Sequence, residues 1–349
     1  MSDSISNTQT IHPQLLMGVN FHSYGSSAYQ NRYTPLPPRN YVEDSFKIFA
    51  DNQITCIRVT IFWESYELDL HQFREDLNLI GEEADKYGIT CIYDNQQWEC
   101  SSWMGCGIGM PNSIMSTYYE KKIASHASNY NIKKDFWKRW WNRRVKTIDG
   151  VDGWDAQLAF LKDIIKLLRY RKSTFGFEVL NEPEVFEMSH YRKVGQYHNY
   201  MIKQLRNITN KPLLFCWVLS HEVIDNPILQ ALTSPTIKDD NIIYDAHLYP
   251  PSIYRMMYFK LVSILMGNVP LYIGEFNSGF TGGSTLTQKQ CSQYIDRFKR
   301  FGTCGWALWR WSYIHDRNIP AFNLAKVTDN RIEPGIFFTY FKNTLKVTK

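Results

Sequence analysis

A chain of 349 residues with 44% apolar and 15% aromatic residues has ample material for a packed core, which excludes disorder over most of its length. That length admits two ordinary domains or one large α/β barrel with insertions. A net charge of +5, from 39 basic and 34 acidic residues, is too mild for a nucleic-acid binder, whose basic residues would gather on one face.

The opening stretch, "MSDSISNTQTIHPQ", has neither a charged n-region nor an apolar h-region. No signal peptide is expected, and the cytoplasm is the default compartment, with secretion left open. The first apolar run, "LLMGVNF" (15–21), ends in His22. Val42, Phe46 and Phe49 then recur at helical spacing before the run "ITCIRVTIF" (54–62), which carries Arg58 and leads into Trp63 and Glu64. Leu77, Ile80 and Ala84 repeat the helical pattern before "GITCIYD" (88–94), which Asn95 and Gln96 follow. The tetrapeptide "ITCI" occurs at 54 and again at 89, a shift of 35 residues (89 − 54), each time after a helical pattern. This is the signature of repeated βα units.

The regular beat breaks at residues 96–153, which we read as an extended insertion after the third strand. Within it, "KKDFWKRWWNRRVK" (133–146) predicts an amphipathic helix that buries Phe136, Trp137, Trp140 and Trp141 and leaves its cations in water. Cys100 and Cys106 share one loop, at a spacing that allows a disulfide, whereas Cys56, Cys91 and Cys216 sit in apolar runs as small core residues. No Cys/His spacing suggests zinc. The stripe Leu158, Leu161, Ile165 and Leu168 restores the helical pattern. Five more runs complete the series: "FGFEVLN" (175–181), "PLLFCWVL" (212–219), "NIIYDAHLY" (241–249), "VPLYIGEF" (269–276) and "CGWALWRW" (304–311). The apolar segment 253–267 is too short for a membrane span and reads as a core helix; no membrane partner is expected.

Eight non-alternating apolar strands separated by helices predict a parallel sheet covered on both faces, closed as a (β/α)8 TIM barrel. The whole chain, 1–349, is expected to be one catalytic domain of that α/β class. In such barrels chemistry sits where strands end. The residues there are His22, Arg58, Asp94 to Gln96, Asn181 with Glu182, His221 with Glu222, His247 with Tyr249, Glu275 and Trp309. Glu182 and Glu275 stand 93 residues apart (275 − 182) yet occupy equivalent places on the fourth and seventh strands. Two carboxylates facing across a cleft are the apparatus of glycoside hydrolysis, and each negative charge disfavours ionisation of the other.

"VLNEPE" and "LYIGEF", with "GVNF", "IRV", "HLY" and "GWALW", resemble the strands of glycoside hydrolase family 5, the cellulase and β-mannanase group. The resemblance runs in order over residues 15–311, with the long insertion poorly matched. It implies a retaining, endo-acting hydrolase of a β-linked glucan, mannan or related glycoside, needing no metal and no organic cofactor. Its partner would be an oligosaccharide or polysaccharide, and a monomer would suffice. Glu182 would be the acid/base and Glu275 the nucleophile. Asn181 would bond the sugar 2-hydroxyl, Arg58 and Tyr249 would hold Glu275, His247 would support Glu182, and Trp309 would be the sugar platform. Gln96 stands where members commonly carry a histidine. His22 and Glu222 are taken as further substrate contacts, and Trp98 and Trp103 either roof the cleft or pack. Glu178 is expected to pair with a buried cation such as Arg58, and Glu184 to face solvent or a neighbouring subsite. Transglycosylation with the same carboxylates, a non-catalytic carbohydrate-binding barrel and a metal-dependent barrel hydrolase are the alternatives.

Overall fold

The eight apolar runs become eight parallel strands: β1 (Met17–His22), β2 (Cys56–Ile61), β3 (Thr90–Asn95), β4 (Thr174–Glu178), β5 (Leu213–Cys216), β6 (Ile242–Leu248), β7 (Leu271–Phe276) and β8 (Gly305–Leu308). Each pairs with its neighbours in sequence, and β8 returns to β1 with Trp306 opposite Met17, so the barrel closes. The structure, a computed structural model, describes residues 16–22, 39–104, 107–221, 227–233, 239–278, 286–311, 324–328, 331–335, 338–339 and 342–343. Helices Arg39–Asp51, Leu70–Tyr87, Gly153–Leu168, His190–Leu205, Pro227–Thr233, Ile253–Leu265 and Gln288–Arg300 link successive strands. The result is a single (β/α)8 barrel, as its sequence pattern predicts.

The strands look continuously apolar because both faces are buried, but the two faces differ. On β2, Ile57, Val59 and Ile61 belong to the outer core beneath the helices, while Cys56 joins a separate apolar cluster with Leu16, Ile92, Leu214, Ile243, Tyr272, Cys304 and Ala307. With a period of two, the residues on the Cys56 side continue upward as Arg58 and Thr60. The same alternation carries Ile92 up to Asp94, and Ile243 up to Asp245 and His247. The inner cluster therefore plugs the lower barrel, and charged groups fill its upper end. Close packing at this inner face demands glycine at two points. A Cβ on Gly18 would lie 1.6 Å from the Cys56 carbonyl oxygen, and one on Gly274 would lie 2.1 Å from Asp245 Oδ2.

The repeated "ITCI" does begin two successive βα units, but the copies are not equivalent. Cys56 pairs with Thr90 and Ile57 with Cys91, so the structural offset is 34 residues (91 − 57) rather than 35. A one-residue slip turns side chains to the other face. Cys56 and Ile92 face inward, while Ile57 and Cys91 pack outward.

Two helices, Asn112–Ser125 and Asn129–Trp141, occupy the insertion. Phe136, Trp137, Trp140 and Trp141 are buried as expected, with Trp137 stacked on Trp141 at 5.4 Å between ring centres. The loop pairing of Cys100 with Cys106 involves residue 106, which lies outside the described residues. Segment 253–267 departs from its reading as a core helix. Met256, Phe259 and Val262 are buried, but Tyr254, Met257, Leu261, Ile264 and Leu265 stay exposed. No helix among the described residues is long and apolar enough to cross a membrane.

Candidate active site

Arg58, on the inner face of β2, is fully buried and is the centre around which the upper barrel is arranged. Its Nε and Nη2 donate to Glu178 Oε2 at 3.0 and 2.9 Å, which bears out the expected pairing of Glu178 with a buried cation. Nη1 donates to Asn20 Oδ1 at 3.0 Å and to Glu275 Oε1 at 3.1 Å, and Nη2 donates to Asn181 Oδ1 at 2.9 Å. Asp94 and Asp245 add carboxylate oxygens 3.2 and 3.5 Å from the guanidinium. One cation thus meets four buried carboxyls. Burial raises Asp94 to about 7, with Glu275 and Asp245 adding to the effect and Arg58 opposing it. Burial likewise pushes Glu178 well above the ordinary carboxylate range against the pull of Arg58. Burial thus favours the protonated forms of Asp94 and Glu178, which limits the charge buried beside Arg58.

Glu275 closes β7 with both carboxylate oxygens engaged. Arg58 reaches Oε1, and the Tyr249 hydroxyl donates to Oε2 at 2.7 Å. Glu182 follows β4, and its Oε1 meets His247 Nδ1 at 2.7 Å. That nitrogen lies 3.6 Å from Glu275 Oε2 as well, so His247 sits between the two glutamates. Carboxylate oxygens of Glu182 and Glu275 and the His247 nitrogen all lie within 4.8 Å of one another. Burial alone would lower the His247 imidazole, but Glu275, the Cys216 thiol and Asp245 outweigh it and raise it well above the ordinary histidine value. Burial raises Glu275 from its ordinary 4.5, with His247 and Arg58 pulling the other way and Glu182 adding to the rise.

That shift fixes the sign of a pH effect. A carboxylate that must be ionised to react is lost as pH falls through its raised pKa. The acidic limb of kcat/KM is therefore expected above the ordinary value of 4.5. A pH–rate profile of the wild type, on any substrate it turns over, checks this; a limb at or below 4.5 contradicts it.

The acid/base candidate sits in an unusual backbone conformation. Glu182 has φ of +38°, in the left-handed region, which for a non-glycine residue costs on the order of 1–3 kcal/mol. Gln97 offsets this by donating Nε2 to the carbonyls of Asn181 at 3.1 Å and Glu182 at 2.7 Å. Asn181 gives its amide oxygen to Arg58 and one N–H to the Gln97 carbonyl at 3.0 Å. Of the remaining candidates, Gln96 is buried, and its Oε1 has no partner among the described residues. Trp309 lies half-buried just past β8, its carbonyl accepting from Asn277 Nδ2 at 2.6 Å. His22 ends β1, but its side chain lies outside the described residues, as does all of Glu222.

Glu184 corrects its sequence reading. It is 2% exposed and does not face solvent; its Oε2 lies 3.0 Å from Lys133 Nζ and 2.6 Å from His221 Nε2. His221 in turn stacks on Phe186 at 4.7 Å. Trp103 packs edge-on to Tyr119 inside the insertion, whereas Trp98 is 48% exposed. Trp63 and Trp311 at the strand ends are core residues, stacked on Phe160 and packed against Phe49.

Sequence reasoning missed Asn20, Gln97 and Asp245 as parts of the site. Asp245 had a signal, since it lies two residues before His247 on one strand and so shares its face. Gln97 had none.

Glu64 anchors the insertion, with Oε2 accepting from Ser101 Oγ at 3.0 Å and from the Ser102 N–H and Oγ, each at 3.2 Å. Burial raises it from 4.5 to about 7 against those donors. The folded protein thus keeps a proton that the unfolded chain has released. Stability from this group is full below 4.5 and is lost as pH rises to about 7, on the order of 3 kcal/mol. Glu64→Gln is expected to flatten that fall. Urea denaturation of both proteins at about pH 5 and about pH 8 checks it, and equal losses in both would contradict it.

A family model, Cellulase (glycosyl hydrolase family 5), matches residues 18–314. A search of curated proteins finds no match. Among solved structures, an endo-glycoceramidase II from Rhodococcus sp. aligns with a TM-score of 0.67 and 15% identity, over 94% of this chain and 78% of that one. An endo-β-1,4-glucanase from Xanthomonas axonopodis pv. citri aligns with a TM-score of 0.64 and 14% identity, over 95% of this chain and 98% of its own. An endoglucanase from Thermobifida fusca aligns at 0.54 with 15% identity, over 85% of this chain and 79% of that one. At such identities the structures speak for the fold alone.

Proposed function

The chain belongs to the cellulase family, glycosyl hydrolase family 5, and from that premise we propose that it is a retaining, endo-acting β-glycoside hydrolase working by double displacement. An O-glycosyl hydrolase acts on carbohydrate; the finer reading rests on one observation above all. The carboxylate oxygens of Glu182 and Glu275 approach within 4.8 Å of each other. Retaining enzymes hold their carboxyl groups about 5–5.5 Å apart, while inverting ones need about 6.5–9.5 Å to admit a water.

In this reading Glu275 attacks the anomeric carbon, aimed by Arg58 and Tyr249, which also stabilise its charge. Glu182 gives its proton to the leaving glycosidic oxygen. The covalent glycosyl-enzyme then yields to a water that Glu182 deprotonates, and the carboxylate of Glu275 leaves. His247 holds Glu182 in place through both steps. Asn181, with one amide N–H not taken by Gln97, and Gln96, whose buried Oε1 has no partner among the described residues, are the donor and acceptor we assign to sugar hydroxyls. Trp309 is the platform beneath the sugar.

The substrate class is tested by turnover of β-1,4-glucan, β-1,4-mannan, their oligosaccharides and a ceramide-linked glycan, the last because the fold neighbours include an endo-glycoceramidase. Internal cleavage of a β-linked glucan or mannan supports the proposal. No hydrolysis of any of them, with sugar binding intact, would overturn it in favour of a binding barrel. Addition of an acceptor sugar separates hydrolysis from transglycosylation, since transfer products would appear in place of free sugar.

A further inference from the structure

The backbone carbonyls of the acid/base loop are held more by the insertion than by the barrel. Residues 181–185 expose five successive backbone carbonyls, and each must find a donor. The barrel side supplies two: Leu219 N–H reaches Pro183 O at 2.9 Å, and His221 N–H reaches Val185 O at 2.8 Å. Side chains from the insertion supply the other three. Gln97 Nε2 takes the Asn181 and Glu182 carbonyls, and Trp141 Nε1 takes the Glu184 carbonyl at 2.7 Å. Gln97 is itself fixed, its Oε1 accepting from the Cys100 N–H at 3.2 Å. Lys133, from the same helix as Trp141, adds an ion pair to the Glu184 carboxylate at 3.0 Å and a second to Glu99 at 2.8 Å. The strained residue among those five is Glu182, with φ of +38°.

We infer that the insertion 96–153 is a clamp that sets the position of the Glu182 carboxyl, with Gln97 its principal positioning residue and Trp141 and Lys133 its second hold. The inference rests on Glu182 being the acid/base. Gln97 touches no reacting atom in this arrangement; it fixes the two peptide groups from which the Glu182 side chain projects. Releasing them lets the backbone leave the left-handed region and carries the carboxyl off the glycosidic oxygen. The nucleophile is untouched, because Glu275 is held from β2 and β6.

The test uses aryl β-cellobiosides and kcat/KM, which reports only formation of the glycosyl-enzyme. A 2,4-dinitrophenolate leaves without protonation, whereas phenolate needs the acid. Wild-type turnover of these substrates tests the proposed function itself; the ratio between them in a variant tests the clamp. Gln97→Met keeps the bulk and removes both donors. It is expected to lower kcat/KM on the phenyl glycoside by about 30- to 100-fold and on the dinitrophenyl glycoside by less than about threefold. Azide, a nucleophile that needs no base, is expected to raise kcat of this variant on the dinitrophenyl substrate. Equal losses on both glycosides, or no loss on either, would overturn the inference. Should Gln97→Met fail to fold, Trp141→Phe, which removes the indole donor and shortens the buried ring, carries the same comparison with an expected loss of about tenfold on the phenyl glycoside and little on the dinitrophenyl one.

Discussion

Glu275→Gln is expected to lose on the order of 10⁴-fold or more in kcat while folding normally. The amide keeps the shape of the carboxylate but has no charge with which to attack an anomeric carbon. Its surroundings tolerate the change unevenly. Tyr249 can still donate to an amide oxygen at the Oε2 position, where it now reaches the carboxylate at 2.7 Å. Arg58, at 3.1 Å from Oε1, would face an amide N–H instead and lose one hydrogen bond of the five it makes to side chains. The fold is therefore expected to survive, with a thermal midpoint close to that of the wild type. A variant that retained more than about a hundredth of the activity would remove Glu275 from the role of nucleophile.

Arg58→Met is the second large effect, and it acts on stability and rate together. The guanidinium is fully buried and lies within 3.5 Å of oxygens from Asp94, Glu178, Asp245 and Glu275. Removing one partner of a buried ion pair costs about 3–5 kcal/mol, because the remaining charges lose their compensation. Here Asp94 and Glu178 can take up protons, since burial raises Asp94 to about 7 and pushes Glu178 well above the ordinary carboxylate value. That relief keeps the expected cost inside this range, and the thermal midpoint should fall by roughly 6–10 °C. Activity measured well below that midpoint is expected to drop about 10³-fold, because Glu275 loses the donor that orients it and holds its charge. Differential scanning calorimetry and initial rates on the same preparation check both halves. A variant as stable and as active as the wild type would mean that Arg58 does not organise the site.

Both effects are legible in part in the sequence. A glutamate at the end of the fourth run and another at the end of the seventh must project from the same rim of a closed parallel barrel, so their meeting follows from strand count alone. Glu178 and Arg58 share the inner face of their strands for the same reason, and a carboxyl inside an apolar run needs a cation within reach. What failed were features that pattern does not encode. The matching "ITCI" segments share four letters, but hydrogen-bond register decides which letter faces inward, and register is set by both neighbouring strands. Segment 253–267 has apolar residues on every side and only Arg255 and Lys260 as charges, so its composition said little about which face packs on the barrel and which stays exposed. Glu184 reads from sequence as facing solvent or a neighbouring subsite because its partners, Lys133 and His221, come from an insertion helix and from the segment after β5. Gln97 was invisible on the same ground, since a glutamine that bonds two backbone carbonyls 84 and 85 residues away leaves no local signature.

The central claim is that Glu275 and Glu182 act in turn on one anomeric carbon, and its most direct test is the configuration of the sugar first released. Proton NMR of the wild type on its preferred β-linked substrate, followed from the first minutes before mutarotation, reads that configuration. The account predicts the β-anomer first, because two displacements restore the starting stereochemistry. The α-anomer first would mean a single displacement by water, and would contradict a covalent role for Glu275.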